Sequence, residues 1–133
     1  MMNEDFTKLP DHQPGWLKKF AVAGRGIYVA VSQEKSFIAH FGVTAAVVVT
    51  GLLLGVTRIE WCIITLAVMA GLSAELLNTA IERLSHAITR EYNESIRDSL
   101  DIASGAVTIT SIGAAVLGVL VLGNALWDYI GQP

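Results

Sequence analysis

Glu75, Asn78 and Glu82 stand three and four residues apart in AELLNTAIERLSH, residues 74–86, directly after an unbroken apolar run. On a helix the three fall within about 60° of one another, and Glu75 and Glu82 nearly eclipse because seven residues make almost two turns. One face is therefore acidic. A carboxylate at membrane depth costs about 2.5 kcal/mol or more on insertion scales, so it faces a protein interior, a water-filled cavity or a cation. Two carboxylates and an amide suit a hard cation such as Mg²⁺, which takes oxygen ligands and shares them with nucleotide phosphates. A structural reading also stands, with Glu82 and Arg83 reaching the headgroup level. Glu34 adds a third carboxylate. Asp101, Ser104, Thr108 and Ser111, at steps of three and four, form a second polar stripe that either faces the first or bonds its own helix backbone.

Such side chains need helices to carry them, and the composition points to membrane helices. Of the 133 residues 53% are hydrophobic and 16% charged, well below the charged quarter of soluble domains. Residues 36–57 contain no Asp, Glu, Lys or Arg and are long enough for a first crossing. The next apolar run, Trp61 to Ala74, is too short to cross alone, so the second helix continues through the glutamates, over about 60–88. A third crossing is expected over about 100–130, rich in small residues that let a neighbouring helix approach. Between the first two, Arg58 and Glu60 are expected in a tight turn, with Trp61 as an interfacial anchor. Trp16, Phe20, Ile27 and Val31 recur at steps of four and seven, the pattern of an amphipathic surface helix over about 16–32. The expected fold is all-α and integral to the membrane, a surface helix plus three transmembrane helices. Residues 1–15 are expected to form a disordered polar lead, and residues 16–133 a single domain.

Lys8, Lys18, Lys19, Arg25 and Lys35 precede the first crossing, and Arg83, Arg90 and Arg97 cluster between the second and third. The positive-inside bias puts the N-terminus in the cytoplasm and the C-terminus outside. The basic residues form no stripe and the net charge is −3, so nucleic acid is not an expected partner. The single cysteine, Cys62, excludes an intramolecular disulfide or a cysteine-rich metal site. His12 reads as a solvated loop residue, and His40 as an interfacial ring or a proton carrier. There is no P-loop, and the glycine pair Gly24 and Gly26 precedes no strand, so any nucleotide is held by other means.

The stretch ELLNTAIE, residues 75–82, preceded by AGRGI at residues 23–27 and Glu34 and followed by DIASGAV at residues 101–107, resembles the prokaryotic diacylglycerol kinase family. The similarity runs from about Trp16 to the C-terminus, and AGRGI and IEW look closer to its undecaprenol kinase branch. The resemblance implies a multi-pass protein of the bacterial inner (plasma) membrane, a homotrimer with active sites near the cytoplasmic interface between subunits. Its reaction is transfer of the ATP γ-phosphoryl group to the hydroxyl of a lipid alcohol, diacylglycerol or undecaprenol.

Carried onto matching positions, the resemblance makes Glu75 the general base and lets Asn78 orient the site, with Glu34 and Glu82 holding Mg²⁺. It places Glu91 and Asp101 near ATP and Ser104 near the lipid; Asn93, Arg97 and Lys18 are further candidates for ATP binding, and Arg25 and Trp61 for lipid binding. The sequence departs from the family pattern at Leu100, where a lysine is usual, at His86, where an aspartate is usual, and at Asn93, where many members have histidine. Arg97, one turn before Leu100, is the expected replacement cation. Two other classes remain open at this stage: a non-catalytic membrane scaffold of the same fold, and a small transporter using Glu75 as a proton-coupled site.

Overall fold

The computed structural model describes residues 15–131. The polar lead over residues 1–14, with His12, lies outside the described residues. Four helices follow: α1 Trp16–Gln33, α2 Ser36–Leu54, α3 Arg58–Ile88 and α4 Glu94–Gly131. The fold is all-α, as expected, and α2, α3 and α4 are each long and apolar enough to cross a membrane. The 19 residues of α2 rise about 28 Å, close to the roughly 30 Å of a hydrocarbon core. The 31 residues of α3 and 38 of α4 rise about 46 and 57 Å, so both project beyond it.

The connections correct the expected boundaries. α2 stops at Leu54 because Gly55 adopts φ 68° and ψ 40°, the left-handed conformation that glycine takes without strain at a helix end. Thr57 then caps α3. Its Oγ1 accepts the Glu60 N–H at 3.4 Å, while the Glu60 carboxylate accepts the Thr57 N–H at 2.6 Å and the Thr57 hydroxyl at 2.8 Å. This reciprocal cap contributes about 1 kcal/mol. The turn is therefore Gly55–Thr57, and Arg58 and Glu60 already belong to the helix. α4 also begins six residues before the expected position 100, because Asn93 Oδ1 accepts the Ile96 N–H at 3.2 Å and starts the helix there.

Packing is concentrated at two levels. Away from the acidic face, Val56, Ile64, Val121 and Ala125 form a buried cluster against which Val47, Leu54, Trp61 and Val68 pack. A Cβ on Gly51 would stand 3.1 Å from the Trp61 ring, so glycine is what lets α2 and the start of α3 close together there. Trp61 is half-buried in this cluster. At the other end Phe37, Ala30, Ala103, Glu75, Thr79 and Ser85 are buried. Leu52, Leu66, Ile109, Val119 and many other large apolar side chains stay exposed, as surface for lipid or neighbouring helices requires.

Candidate active site

α3 carries the acidic face, and packing of α2 against it decides the surroundings of its first carboxylate. Glu75 is only 6% exposed. Its Oε2 lies 3.7 Å from His40 Nε2, and His40 is partly exposed. His40 is four residues into α2, about 6 Å from its start. The contact therefore sets Glu75 opposite α2 about one helical turn from the start of that helix.

About one turn and two turns beyond Glu75, Asn78 Nδ2 donates to Glu82 Oε1 at 2.8 Å, fixing that carboxylate along the helix. Glu34, in the link between α1 and α2, reaches the same end of α3: its Oε1 lies 3.5 Å from Arg83 Nη2, which also donates to Gln33 Oε1 at 2.8 Å. Arg83 is thus the tie between the link and α3, and the α1–α2 corner and the α3–α4 connection share one side. Two buried polar atoms here, Asn78 Oδ1 and Arg83 Nε, have no hydrogen-bond partner among the described residues.

The donor chemistry fits a hard cation. Glu34, Glu82 and the unpartnered Asn78 Oδ1 are all oxygen donors, the set Mg²⁺ prefers. Among the described residues no three His, Cys, Asp or Glu side chains cluster. Glu34 and Glu82 are thus donors of suitable chemistry at the same end of α3, where Arg83 ties Glu34 to the helix, rather than a formed cluster.

Two grooves flank this region. A cavity of about 680 Å³ runs between α2, α3 and α4, lined by apolar and small residues including Val43, Val47, Val68, Gly71, Ala115 and Gly118. Its polar lining comes from His40, Thr44 and Ser111, and Glu75 lies one turn beyond Gly71. A second, of about 540 Å³, lies between α1 and α3 and brings Arg25 and Arg83 beside Thr79 and Leu76.

The remaining candidates are spread more widely. Glu91 lies in the α3–α4 connection, where its N–H donates to Thr89 Oγ1 at 3.0 Å, and Asn93 caps α4. The Arg97 guanidinium lies 2.7 Å from Asp98, 3.7 Å from Glu94 and 2.8 Å from the Tyr92 hydroxyl, all on its own segment. Leu100 is half-buried, whereas His86, Asp101, Ser104 and Lys18 are exposed. The polar stripe on α4 divides: Thr108 Oγ1 donates to the Ser104 carbonyl at 3.0 Å, while Ser111 lines the larger cavity. Trp61 is not brought to the acidic face; fourteen residues of α3 separate it from Glu75, about 21 Å.

The model of one family, described as prokaryotic diacylglycerol kinase, matches residues 21–122, a range that contains α2, α3 and most of α4. The chain belongs to the prokaryotic diacylglycerol kinase family. Two relatives carry related names. The undecaprenol kinase of Bacillus subtilis is 36% identical over 106 residues, covering 80% of this chain and 86% of that protein. The diacylglycerol kinase of Synechocystis sp. is 29% identical over 106 residues, covering 79% of this chain and 61% of that protein. The family and the names of these relatives make the chain a membrane lipid kinase.

Sequence reasoning missed two partners within this family frame. Neither the headgroup reading of Arg83 nor its place among the basic residues reveals its bond to Gln33, because that contact joins positions fifty residues apart. His40 was noted as a titratable residue near the end of a crossing, but its opposition to Glu75 follows only from how α2 packs on α3.

Proposed function

We propose that the protein uses MgATP to phosphorylate the hydroxyl of a membrane lipid alcohol, with undecaprenol as the substrate. The observation that carries this reading is the burial of Glu75 one turn beyond an apolar cavity between the helices. A chain in that cavity presents its terminal hydroxyl near the carboxylate while the rest remains in apolar surroundings. The choice of undecaprenol is supported by the 36% identity to the Bacillus subtilis undecaprenol kinase along 86% of its length.

In the proposed reaction the lipid hydroxyl oxygen attacks the γ-phosphorus as its proton passes to Glu75. The bond from the γ-phosphorus to the β–γ bridging oxygen breaks, and ADP leaves. Positioning in line with that bond and neutralising phosphate charge supply most of the rate. Glu34 and Glu82 would hold Mg²⁺, which when bound offsets the charge of the phosphates, and Asn78 keeps Glu82 oriented. Lys18, Glu91, Asn93, Arg97 and Asp101 border the nucleotide in this reading. Arg25 and Ser104 border the lipid headgroup, and Trp61 can touch only its distal chain. The exposure of Lys18, Glu91, Asp101 and Ser104 on one chain leaves room for a neighbouring subunit to complete each site, and the family resemblance makes that assembly a homotrimer. The Arg and Lys distribution supports an acidic face on the cytoplasmic side of the bacterial inner membrane.

Two measurements test this reading. Purified protein in lipid nanodiscs, offered undecaprenol and diacylglycerol separately with MgATP, is expected to phosphorylate undecaprenol with kcat/KM at least about tenfold higher. A preference for diacylglycerol would overturn the substrate assignment, and transfer to neither would overturn the reaction. With Leu100 where the family usually has lysine, Arg97→Ala is expected to raise KM for ATP by about tenfold through loss of a cation near the phosphates. An unchanged KM would remove Arg97 from the nucleotide site.

A further inference from the structure

We infer that His40 is the positioning residue of Glu75, holding its carboxylate toward the lipid cavity. The inference rests on the lipid kinase reading and deepens it. Three observations carry it. Glu75 is buried at 6% exposure, yet among the described residues its carboxylate has no hydrogen bond and His40 is the one basic side chain within 4 Å. The other carboxylates of the region are held differently, Glu82 by Asn78 and Glu34 by Arg83. His40 also lines the apolar cavity, so it stands where a lipid chain and the carboxylate meet.

A carboxylate with no hydrogen-bond donor has nothing to fix which of its two oxygens faces the cavity. A base must instead present one oxygen to the proton it takes, within hydrogen-bond reach. The 3.7 Å between His40 Nε2 and Glu75 Oε2 exceeds a hydrogen bond by a few tenths of an ångström, and such contacts tighten when substrate closes the site. Nε2–H then donates to one carboxylate oxygen and leaves the other facing the incoming hydroxyl. From α4 the cavity adds only Ser111 and apolar residues, so no other charged group on that side substitutes for the imidazole. His40 touches neither phosphate nor hydroxyl in this arrangement; it acts through Glu75.

The test compares His40→Leu, which fills the space without a donor, with His40→Gln, whose amide places an N–H near the position of Nε2. In nanodiscs with MgATP and undecaprenol, His40→Leu is expected to lower kcat by about ten- to a hundredfold while KM for ATP stays within about twofold. His40→Gln is expected to recover most of that loss. Equal elution and helical content of both variants and the parent separate this effect from unfolding. An active parent with His40→Leu at full kcat overturns the inference and leaves the kinase reading standing. Equal loss in both folded variants also overturns it, because a donor would then not be what matters. A folded parent that phosphorylates neither lipid overturns the kinase reading and the inference with it.

Discussion

Glu75→Gln is expected to lower kcat for lipid phosphorylation by about a thousandfold while leaving KM for ATP nearly unchanged. An amide of the same shape cannot take the hydroxyl proton, and loss of a positioned base removes about 10²–10⁴ in rate. The substitution leaves the fold intact, since a neutral amide is easier to bury than a carboxylate at a site 6% exposed. Its distance from the polar connection between α3 and α4 keeps the nucleotide contacts unaffected. Steady-state kinetics with varied ATP and saturating undecaprenol checks this, and a fall in ATP affinity with kcat preserved would place Glu75 in binding rather than proton transfer.

The second large effect concerns the cation. Glu82→Gln keeps an oxygen to accept the 2.8 Å bond from Asn78 but removes the charge. Half-saturation by Mg²⁺ is then expected at roughly ten- to a hundredfold higher concentration, with partial recovery of rate as Mg²⁺ is raised. Glu34→Gln is expected to act in the same direction. It also leaves Arg83 without its carboxylate partner at 3.5 Å, so the recovery by Mg²⁺ should be less complete. Titration of activity against free Mg²⁺ at fixed ATP reads both variants. A Mg²⁺ dependence identical to the parent would make Glu34 and Glu82 structural.

Much of this architecture is legible in the sequence because membrane helices announce themselves by what they lack. The charge-free run at residues 36–57 and the small-residue run beyond Ile102 are read from composition alone. The acidic face is equally legible, since the spacing of Glu75, Asn78 and Glu82 carries the helical period. The boundaries are less so. Glycines are common within membrane helices, so Gly55 looked like part of a span, although Thr57 and Glu60 already carry the spacing of a capping box. Asn93 disappeared among the polar residues around it. The contacts of His40 with Glu75 and of Arg83 with Glu34 join residues 35 and 49 positions apart in the chain, and no local pattern specifies which turns of α2 and α3 face one another.

The exposed side chains of α1 and α4 carry a related lesson. The resemblance singles out Asp101 and Ser104, and the single chain leaves both exposed, as it does Lys18. Small residues along α4 permit close helix approach but do not encode the number of partners. A helix face can therefore be recognised long before the surface that covers it.

The central claim is that the acidic face of α3 transfers phosphate from ATP to a lipid hydroxyl, and the most direct measurement follows labelled phosphate. The protein and its Glu75→Gln variant, both in nanodiscs containing undecaprenol, are supplied with ATP labelled at the γ-phosphate and Mg²⁺, and the lipid is then extracted and counted. The account predicts label in the lipid for the parent and almost none for the variant. Label absent from a folded parent, or equal in both proteins, would contradict it.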